Sequence, residues 1–352
     1  MGRRGVAVLA SIAALLAVMV AVALVFLFMS DPAPAAGPEV PSASPSTADP
    51  APVVEAVLEP TVPFGGDCTR LLTTAQLNEL LGEGWTERGG PVLPDIQHTT
   101  LGTLGGMECE WFPEESSSSE TLVLSLGVIV LPAAQVPADF AAAYAEVKCD
   151  PAYDVAGCRF SRQVGDYWLM TRVYFWSDDI PAELLVNAAD GVAATVGDGF
   201  DGVAADRQET WMTLPDCETL STSMRLEEFL GTGYGNGYWE GSAQPESIML
   251  DATGVGLNCP WVSVDGSAPG GKTFISGANV SACGSWAWES IAAMDGAVPV
   301  SVAGTVGAVT FDVGNDRVWL FATDGVNVIH LHNAAANDLI PIAERLLETL
   351  AG

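Results

Sequence analysis

The sequence predicts an α+β fold in which two tandem disulfide-stapled modules, each an antiparallel sheet packed with helices, follow an N-terminal transmembrane helix. Three observations predict it: a repeated cysteine framework, an uncharged apolar run near the N-terminus, and strand-like segments followed by helical spacing in each copy. Strands and helices grouped in this way are typical of the α+β class. The predicted divisions are an anchor (1–30), a stalk (31–64), a first module (65–197), a linker (198–214) and a second module (215–352).

The N-terminal run indicates a membrane anchor. Arg3 and Arg4 precede residues 5–29, which are uncharged and rich in Ala, Val, Leu and Phe. The run reaches the roughly 20 residues that a bilayer core requires, whereas a secretory apolar region has about 7 to 15. Because basic residues stay on the cytoplasmic side, we expect a single pass of the cell membrane with the modules outside. The alternative is a signal peptide cut after Ala35, in the sequence Ala33-Pro34-Ala35.

Residues 31–64 have the composition of a stalk. Pro, Ala, Ser, Val and acidic residues dominate this segment, which has few large side chains to bury. The entropy cost of ordering such a chain is therefore not offset by apolar burial. We expect it to hold the folded part away from the membrane.

The acidic composition limits the possible partners. Asp and Glu number 44 against 13 Lys and Arg, and the formal net charge is −31. Nucleic-acid binding needs clustered basic residues, but Lys148 and Lys272 are the only lysines. Nucleic acid is therefore not an expected partner. The charge is expected mainly to keep the folded part soluble.

The cysteine spacing defines the repeat. Cys68 and Cys109 are 41 positions apart, and Cys217 and Cys259 are 42 apart. An acidic residue precedes the first cysteine of each pair, and a tryptophan, Trp111 or Trp261, follows the second after one intervening residue. Such equal spacing predicts two copies of one structural unit, with each tryptophan in a core beside its disulfide.

Seven cysteines in an exported chain predict disulfides, because thiols are oxidised outside the cytoplasm. The repeat pairs Cys68 with Cys109 and Cys217 with Cys259. Cys149 and Cys158 then form a local pair, and Cys283 is left over. Its neighbours in sequence are mostly apolar and uncharged, so we expect a buried, unreactive thiol. The alternative is a thiol available for intermolecular pairing.

Each copy is predicted to begin with a short amphipathic helix. Apolar residues share the same offsets in the two copies: Leu77, Leu80 and Leu81 match Leu226, Phe229 and Leu230. Thr73 and Gln76 form a capping-box pattern. Gly82 and Gly231 are expected to end the two helices in a left-handed cap.

Strands and a closing helix follow in each copy. Strand patterns cover residues 122–131 and 167–176 in the first copy and 306–313 and 318–331 in the second, where Asp324-Gly325 predicts a hairpin. Trp168 lies 59 positions after Cys109, and Trp319 lies 60 positions after Cys259. This similar spacing predicts that the two tryptophans lie on equivalent strands of the two copies. Helical spacing over 180–196 and 334–350 predicts the closing helices.

With these elements identified, the chain resembles a group of actinobacterial cell-envelope proteins, mostly lipoproteins of unknown function. Their ectodomain is similar to the extracytoplasmic sensor domain of mycobacterial-type receptor kinases. The resemblance rests on Cys68 to Thr73, the helix ending at Gly82, Cys109 to Trp111, and the same series in the second copy. The chain departs from that pattern in having an apolar anchor where many relatives have a lipidated cysteine, and in lacking a kinase domain. The resemblance implies an envelope location and, by analogy, ligand sensing.

Three motifs could indicate cofactor or metal binding. Gly266 to Thr273 matches the phosphate-binding P-loop pattern, but the residues after it look like a strand, where a P-loop needs a helix. His330 and His332 lie two apart on a predicted strand and therefore on one face, while His98 is expected in a loop of the other copy. Asp198, Asp201 and Asp206 do not have EF-hand spacing. We therefore expect no nucleotide, metal or other cofactor.

An aromatic follows each helix-ending glycine by three residues. Trp85 follows Gly82 and Tyr234 follows Gly231, and Tyr238 and Trp239 extend the second loop. Exposed aromatics near glycines can stack on sugars or apolar groups. These four aromatics are the predicted ligand contacts. The alternative is that each packs back on its own helix.

The sequence thus predicts a membrane-anchored extracytoplasmic protein that binds or senses an envelope ligand or a membrane protein without catalysis. Two alternatives stay open. An envelope hydrolase would show a cleft with two or more acids of raised pKa, and a passive scaffold for a membrane protein would show an exposed apolar patch between the copies.

Overall fold

Two antiparallel sheets, one in each half of the described chain, form the framework, and helices pack on both. This confirms the α+β class. The structure is a computed structural model and describes residues 59–87, 96–114, 123–152, 155–175, 182–207, 214–231, 233–237, 244–263, 275–314, 317–334 and 336–352. These residues belong to one compact unit, Glu55–Gly352.

Among the described residues, the first sheet has six strands in the order β1-β2-β3-β6-β5-β4. They are β1 (Trp85–Glu87), β2 (Met107–Pro113), β3 (Val123–Pro132), β4 (Lys148–Ala152), β5 (Val155–Val164) and β6 (Tyr167–Phe175). The strands predicted over 122–131 and 167–176 are confirmed as β3 and β6.

The second sheet has seven strands in the described chain, in the order β10-β11-β12-β13-β9-β8-β7. They are β7 (Tyr234–Asn236), β8 (Gly256–Ser263), β9 (Ile275–Ser281), β10 (Val298–Pro299), β11 (Gly307–Gly314), β12 (Arg317–Thr323) and β13 (Val328–Ala334). The predicted hairpin joins β12 to β13. Its turn is stabilised by the Asp324 carboxylate, which accepts the N–H of Val326 at 2.8 Å and of Asn327 at 2.7 Å.

The order of strands shows which elements are equivalent. β1-β2-β3-β6-β5 of the first sheet corresponds to β7-β8-β9-β13-β12 of the second, with Cys109 on β2 and Cys259 on β8. Trp168 lies on β6, which corresponds to β13, whereas Trp319 lies on β12. The prediction that these two tryptophans lie on equivalent strands is therefore wrong. Loops of different length between the strands produce a similar spacing for residues that are not equivalent.

The helices described in the first half are α1 (Thr74–Leu81), α2 (Ile96–Thr103), α3 (Ala138–Ala143) and α4 (Ala182–Val196). The predicted capping box is present: the Gln76 N–H donates to the Thr73 hydroxyl at 3.3 Å, and the Gln76 side chain accepts the Thr73 N–H at 2.9 Å. Gly82 ends α1 with φ 85° and ψ 179°. The glycine stop is confirmed, but its ψ lies outside the left-handed helical region that was predicted.

The helices described in the second half are α5 (Cys217–Met224), α6 (Glu227–Leu230), α7 (Pro245–Ala252), α8 (Trp288–Ala292) and α9 (Ala336–Ala351). The helix predicted before Gly231 is divided, because Arg225 adopts a left-handed conformation with φ 53° between α5 and α6. The predicted closing helices are confirmed as α4 and α9.

The three predicted disulfides are confirmed. They join Cys68 to Cys109, Cys149 to Cys158 and Cys217 to Cys259. Cys149 and Cys158 lie directly opposite each other on β4 and β5. Each of the other two links the start of a half to the second strand of its sheet, which ties the first helical segment to the core.

Each sheet has an inner core formed with helices of its own half. In the first half, Leu77 of α1 and Leu185 of α4 pack on Val128 and other residues of the sheet. In the second half, Leu220 of α5 and Leu346 of α9 do the same. Trp111 and Trp261 are buried in these cores, as predicted.

The opposite, outer faces of the sheets are covered partly by helices α2 and α7, which lie between the halves. Met249 and Leu250 of α7 join the outer face of the first sheet, where they pack with a cluster that includes Ile129 and Trp168. α2 contributes to both outer faces: its Leu101 joins the same first-sheet cluster, and its Ile96 joins a cluster on the second sheet that includes Phe321. Burial on both faces explains the continuous apolar run of β3, in which Leu126 to Leu131 are buried.

Buried ion pairs also join the two halves. The Arg159 guanidinium on β5 contacts the Glu246 carboxylate on α7 at 2.8 and 3.1 Å. Arg172 on β6 lies 2.6 Å from Glu108 and 3.7 Å from Glu246. Because these side chains are buried, each charge depends on its partners for solvation.

The end of the predicted stalk contacts the first part of the predicted linker. Thr61 and Val203 exchange two backbone hydrogen bonds, and the Asp201 carboxylate accepts the Phe64 N–H at 2.9 Å. Residues 1–58, including the predicted anchor at 5–29, lie outside the described residues. Within the described part of the chain, no helix combines the length and apolar character needed to cross a membrane.

Candidate functional site

The described aromatics that were predicted to contact a ligand lie in different halves. Trp85, the first residue of β1, is 7% exposed and packs in the first inner core. Tyr234, the first residue of β7, is half-buried against the second inner core. Tyr238 and Trp239 lie outside the described residues. Ligand contact by these four aromatics therefore stays a prediction.

His330 and His332 lie on the outer face of β13. The His330 ring stacks on Phe321 with centroids 4.2 Å apart, and the two imidazole centroids are 5.3 Å apart. Burial, together with the neighbouring His332, holds the pKa of His330 well below its usual value, and burial lowers the pKa of His332 to about 4. Both rings are therefore neutral near pH 7. Among the residues that the structure describes, no three His, Cys, Asp or Glu side chains could together hold a metal ion.

The aspartates and the segment that follows the P-loop-like motif lie in the described part of the chain. Asp201 binds the Phe64 backbone, and Asp206 accepts the Cys283 thiol through its carbonyl at 3.7 Å. Gly266 to Thr273 lies outside the described residues, and the segment after it forms β9, as predicted.

A pocket of about 440 Å³ lies between the two halves, and we call it the interhalf pocket. The first half contributes residues near Val62, from α2 and from the start of β2. The second half contributes α8 and the short helical turn before it. Met107, Trp286, Ile291 and Met294 form an apolar lining, and His98 and Glu108 are polar members.

Trp286 approaches α2 closely because Gly102 has no side chain. A Cβ atom on Gly102 would lie 2.5 Å from Cζ2 of the Trp286 ring. The indole N–H also donates to the Thr103 hydroxyl at 2.9 Å. The position of Trp286, a residue of the second half, is therefore set by Gly102 and Thr103 of the first half.

Glu108 and His98 form the polar end of the pocket. The His98 Nε2 atom lies 3.4 Å from Glu108 Oε2, and the Gln97 amide donates to the same oxygen at 3.2 Å. Burial alone would raise the pKa of Glu108, but Arg172, His98 and Gln97 outweigh it and hold that pKa below its usual value. The carboxylate is therefore ionised at neutral pH and orients the half-exposed His98 imidazole.

The prediction that His98 lies in a loop is wrong, because it lies on α2. Residues 96–103 include three threonines and a glycine, which have low helix propensity. The helix is stabilised by burial between the halves: Thr99, Thr100 and Thr103 are buried. The Thr100 and Thr103 hydroxyls donate to carbonyls of the preceding turn. Glu108 was also missed, because no local signal separates it from the other acids.

A second, smaller cavity of about 160 Å³ lies between α2, α7 and strands β8 and β9. Its lining includes Asp251, Asn258 and Asn279. The Asp251 carboxylate accepts the Asn258 N–H at 3.1 Å, and burial raises the pKa of Asp251 to about 7. A polar cavity of this size has room for a few water molecules.

The chain matches no protein-family model and no curated protein sequence. Among solved structures, the di-domain ARO/CYC StfQ from the steffimycin biosynthetic pathway aligns over 70% of this chain and 77% of its own, with 9% sequence identity and a TM-score of 0.13. A similarity this weak supports no inference about fold or function. The resemblance to actinobacterial envelope proteins stays a prediction.

Proposed function

We propose that this protein is a membrane-anchored, extracytoplasmic binding or sensing protein of the cell envelope, without catalytic activity. Its ligand is a small, mainly apolar organic molecule with one polar end, and it binds in the interhalf pocket. The observation that carries the proposal is the lining of this pocket, in which apolar side chains from both halves surround one buried, ionised carboxylate and its histidine.

The size and lining of the pocket support a small organic ligand. Its volume of about 440 Å³ lies within the range of roughly 300 to 1,000 Å³ that such ligands occupy. Met107 and Met294 have flexible, polarisable side chains that adapt to irregular apolar shapes. Trp286 offers an aromatic surface, and His98 offers a hydrogen-bonding group at one end.

A sensing role is supported by the position of the pocket between the halves. A ligand there contacts α2 of the first half and α8 of the second, and α2 also packs on the outer face of the second sheet. A bound ligand therefore stabilises one arrangement of the two halves. Other proteins at the membrane can bind that arrangement selectively. The apolar run at 5–29 and the three disulfides support the extracytoplasmic location.

The test uses the neutral fluorescent dye Nile red and residues 55–352, which contain both inner cores and the three described disulfides. A neutral dye avoids repulsion or attraction by the acidic surface. We expect a saturable rise in fluorescence and a higher Tm, since a ligand at 100 times its Kd adds about 2.7 kcal/mol of stability.

Two variants locate the dye. Ser290 lines the pocket and is exposed, so Ser290→Phe should fill the entrance and abolish the saturable signal. Glu289→Phe changes the neighbouring exposed residue, which is not part of the lining, and should leave the signal unchanged. Equal binding by both variants and the unmodified protein would contradict the proposal.

A further inference from the structure

A groove of about 880 Å³ lies on the first half, between α1 and α4 and beside β1, and we call it the acidic groove. Leu80, Leu81 and Leu184 line it with apolar surface. Its rim has exposed acids on both helices: Glu79 on α1, and Glu183 and Asp190 on α4. None of its lining residues belongs to the interhalf pocket.

Local contacts hold α1 and α4 together beside the groove. The Gln76 side chain on α1 donates to the Gly191 carbonyl at 3.1 Å and to the Thr195 hydroxyl at 2.9 Å on α4. A Cβ atom on Gly191 would lie 3.0 Å from Leu72 Cδ2, so the glycine allows close approach at this point.

An equivalent groove of about 530 Å³ is present in the second half, along α9 and beside Phe229 of α6. The buried residues Leu185, Ala189 and Val192 of α4 align with Leu339, Ala343 and Leu346 of α9. This alignment places Asp190 at the position of Glu344 and Gly191 at the position of Arg345. Both grooves are thus lined by equivalent positions of the closing helix.

The second groove contains a basic side chain, that of Arg345. The Arg345 guanidinium lies 5.8 Å from the centre of the Phe229 ring, and its Nε atom lies 3.3 Å from the Glu348 carboxylate. The described lining of the acidic groove contains no Lys or Arg. Arg162, from outside that lining, pairs with Asp190 at 2.7 Å. Within the described chain, Glu79 and Glu183 have no ion-pair partner.

We propose that the acidic groove binds a basic amphipathic segment of a partner polypeptide. The basic side chains of that segment pair with Glu79 and Glu183, as Arg345 pairs with Glu348 in the second half. Its apolar side chains cover Leu80, Leu81 and Leu184, in the manner of an amphipathic helix in a groove. Charge complementarity favours this occupant, because both exposed unpaired acids lie at the edge of one apolar surface.

The test measures fluorescence anisotropy of a fluorescein-labelled peptide with Leu and Arg in helical spacing, added to residues 55–352. We expect saturable binding that weakens as salt is added. The same peptide with Glu in place of Arg should not bind. Equal binding of the two peptides would overturn the proposal.

Matched variants separate the groove from the general acidity of the protein. Glu79→Gln with Glu183→Gln should weaken binding about three- to tenfold. Glu218→Gln with Glu289→Gln removes the same charge from exposed sites outside both grooves and should have little effect. Ala194→Arg places a cation in the groove and should abolish binding, whereas Ala143→Arg, at an exposed position of α3, should not. Equal effects of groove variants and controls would overturn the proposal.

Spermine tests the apolar part of the proposal. It has several positive charges but no apolar side chains, so we expect it to compete with the peptide only at much higher concentration. Competition at the same concentration as the unlabelled peptide would show that charge alone is recognised and would overturn the assignment to a polypeptide.

Discussion

Arg159 and Glu246 form a buried ion pair that joins the two halves of the chain. The Nε to Oε1 distance is 2.8 Å, and the side chains are 2% and 1% exposed. Arg159 also donates to Gln244 at 2.9 Å and to the Tyr174 hydroxyl at 3.2 Å. These partners replace the water that both charges lose on folding. The pair therefore specifies where α7 of the second half lies on the first sheet.

Glu246→Gln is expected to lower the free energy of unfolding by about 3 to 5 kcal/mol, because Arg159 is left buried without its counter-charge. Urea denaturation monitored by tryptophan fluorescence measures the change. Glu228→Gln serves as the control, since Glu228 pairs with Arg225 at the surface and should contribute less than about 1 kcal/mol. Similar losses in both variants would contradict a joining role for Glu246.

The buried histidines should make the protein less stable in acid. Because the pKa of His332 is lowered to about 4 in the folded state, protonation below its unfolded pKa of about 6.5 favours unfolding. This contribution is fully present above pH 6.5 and is lost as the pH falls toward 4. Between pH 7 and pH 4, the free energy of unfolding of His332→Gln should therefore fall by about 2 to 3 kcal/mol less than that of the unmodified protein.

Urea denaturation of both proteins at each pH tests the histidine prediction. Carboxylates titrate over the same range in both proteins, so the difference between them reports on His332 and on the neighbouring His330, whose pKa His332 helps to lower. Parallel stability curves for the two proteins would show that the imidazole is not kept neutral by burial.

Asp251 should show the opposite pH dependence. Its pKa is raised from 3.8 to about 7 by burial, so the folded state favours the protonated acid. The stability that the protonated Asp251 contributes is fully present below pH 3.8 and is lost as the pH rises through 7. Asp251→Asn should therefore stabilise the protein by about 1 to 2 kcal/mol at pH 8 and have little effect near pH 4.

Thermal unfolding at pH 8 and pH 4 measures the effect of Asp251→Asn. The control is Asp295→Asn, which changes an exposed acid and should show no such difference between the two pH values. A stability loss in Asp251→Asn at pH 8 would mean that the ionised carboxylate has favourable partners.

Cys283 should be unreactive in the folded protein. Its side chain is buried, as predicted, and burial raises the pKa of the thiol to about 11. Little thiolate is then present near neutral pH. We expect iodoacetamide to label no cysteine in the native, oxidised protein and one in denaturant, as counted by mass spectrometry. Native labelling or a disulfide-linked dimer would contradict this expectation.

Local chemistry explains what could be predicted from sequence. The pairing of Cys68 with Cys109 followed from a spacing that recurs, and the capping box at Thr73 depends on residues within one turn. The hairpin at Asp324 likewise needs only the turn and its two flanking strands. In each case the interacting groups are close in sequence or are marked by an internal repeat.

Contacts between the halves could not be predicted in the same way. α2 has weak helix propensity and is stabilised by burial against the other half, so His98 was expected in a loop. The match between Trp168 and Trp319 failed because loop lengths, rather than strand positions, set their distances from the cysteines. Glu108 became a candidate site residue only when the structure placed it beside His98 and Arg172 at a pocket.

The sequence by itself determined the α+β class, the three disulfide pairs, the hairpin and the helix boundaries at Thr73 and Gly82, because these depend on local backbone preferences or on the repeat. The tertiary structure decided how α2 and α7 pack between the two outer faces, and therefore where the interhalf pocket lies. The physical reason is that apolar strands buried on both faces need a cover, but their sequence does not specify which helix supplies it.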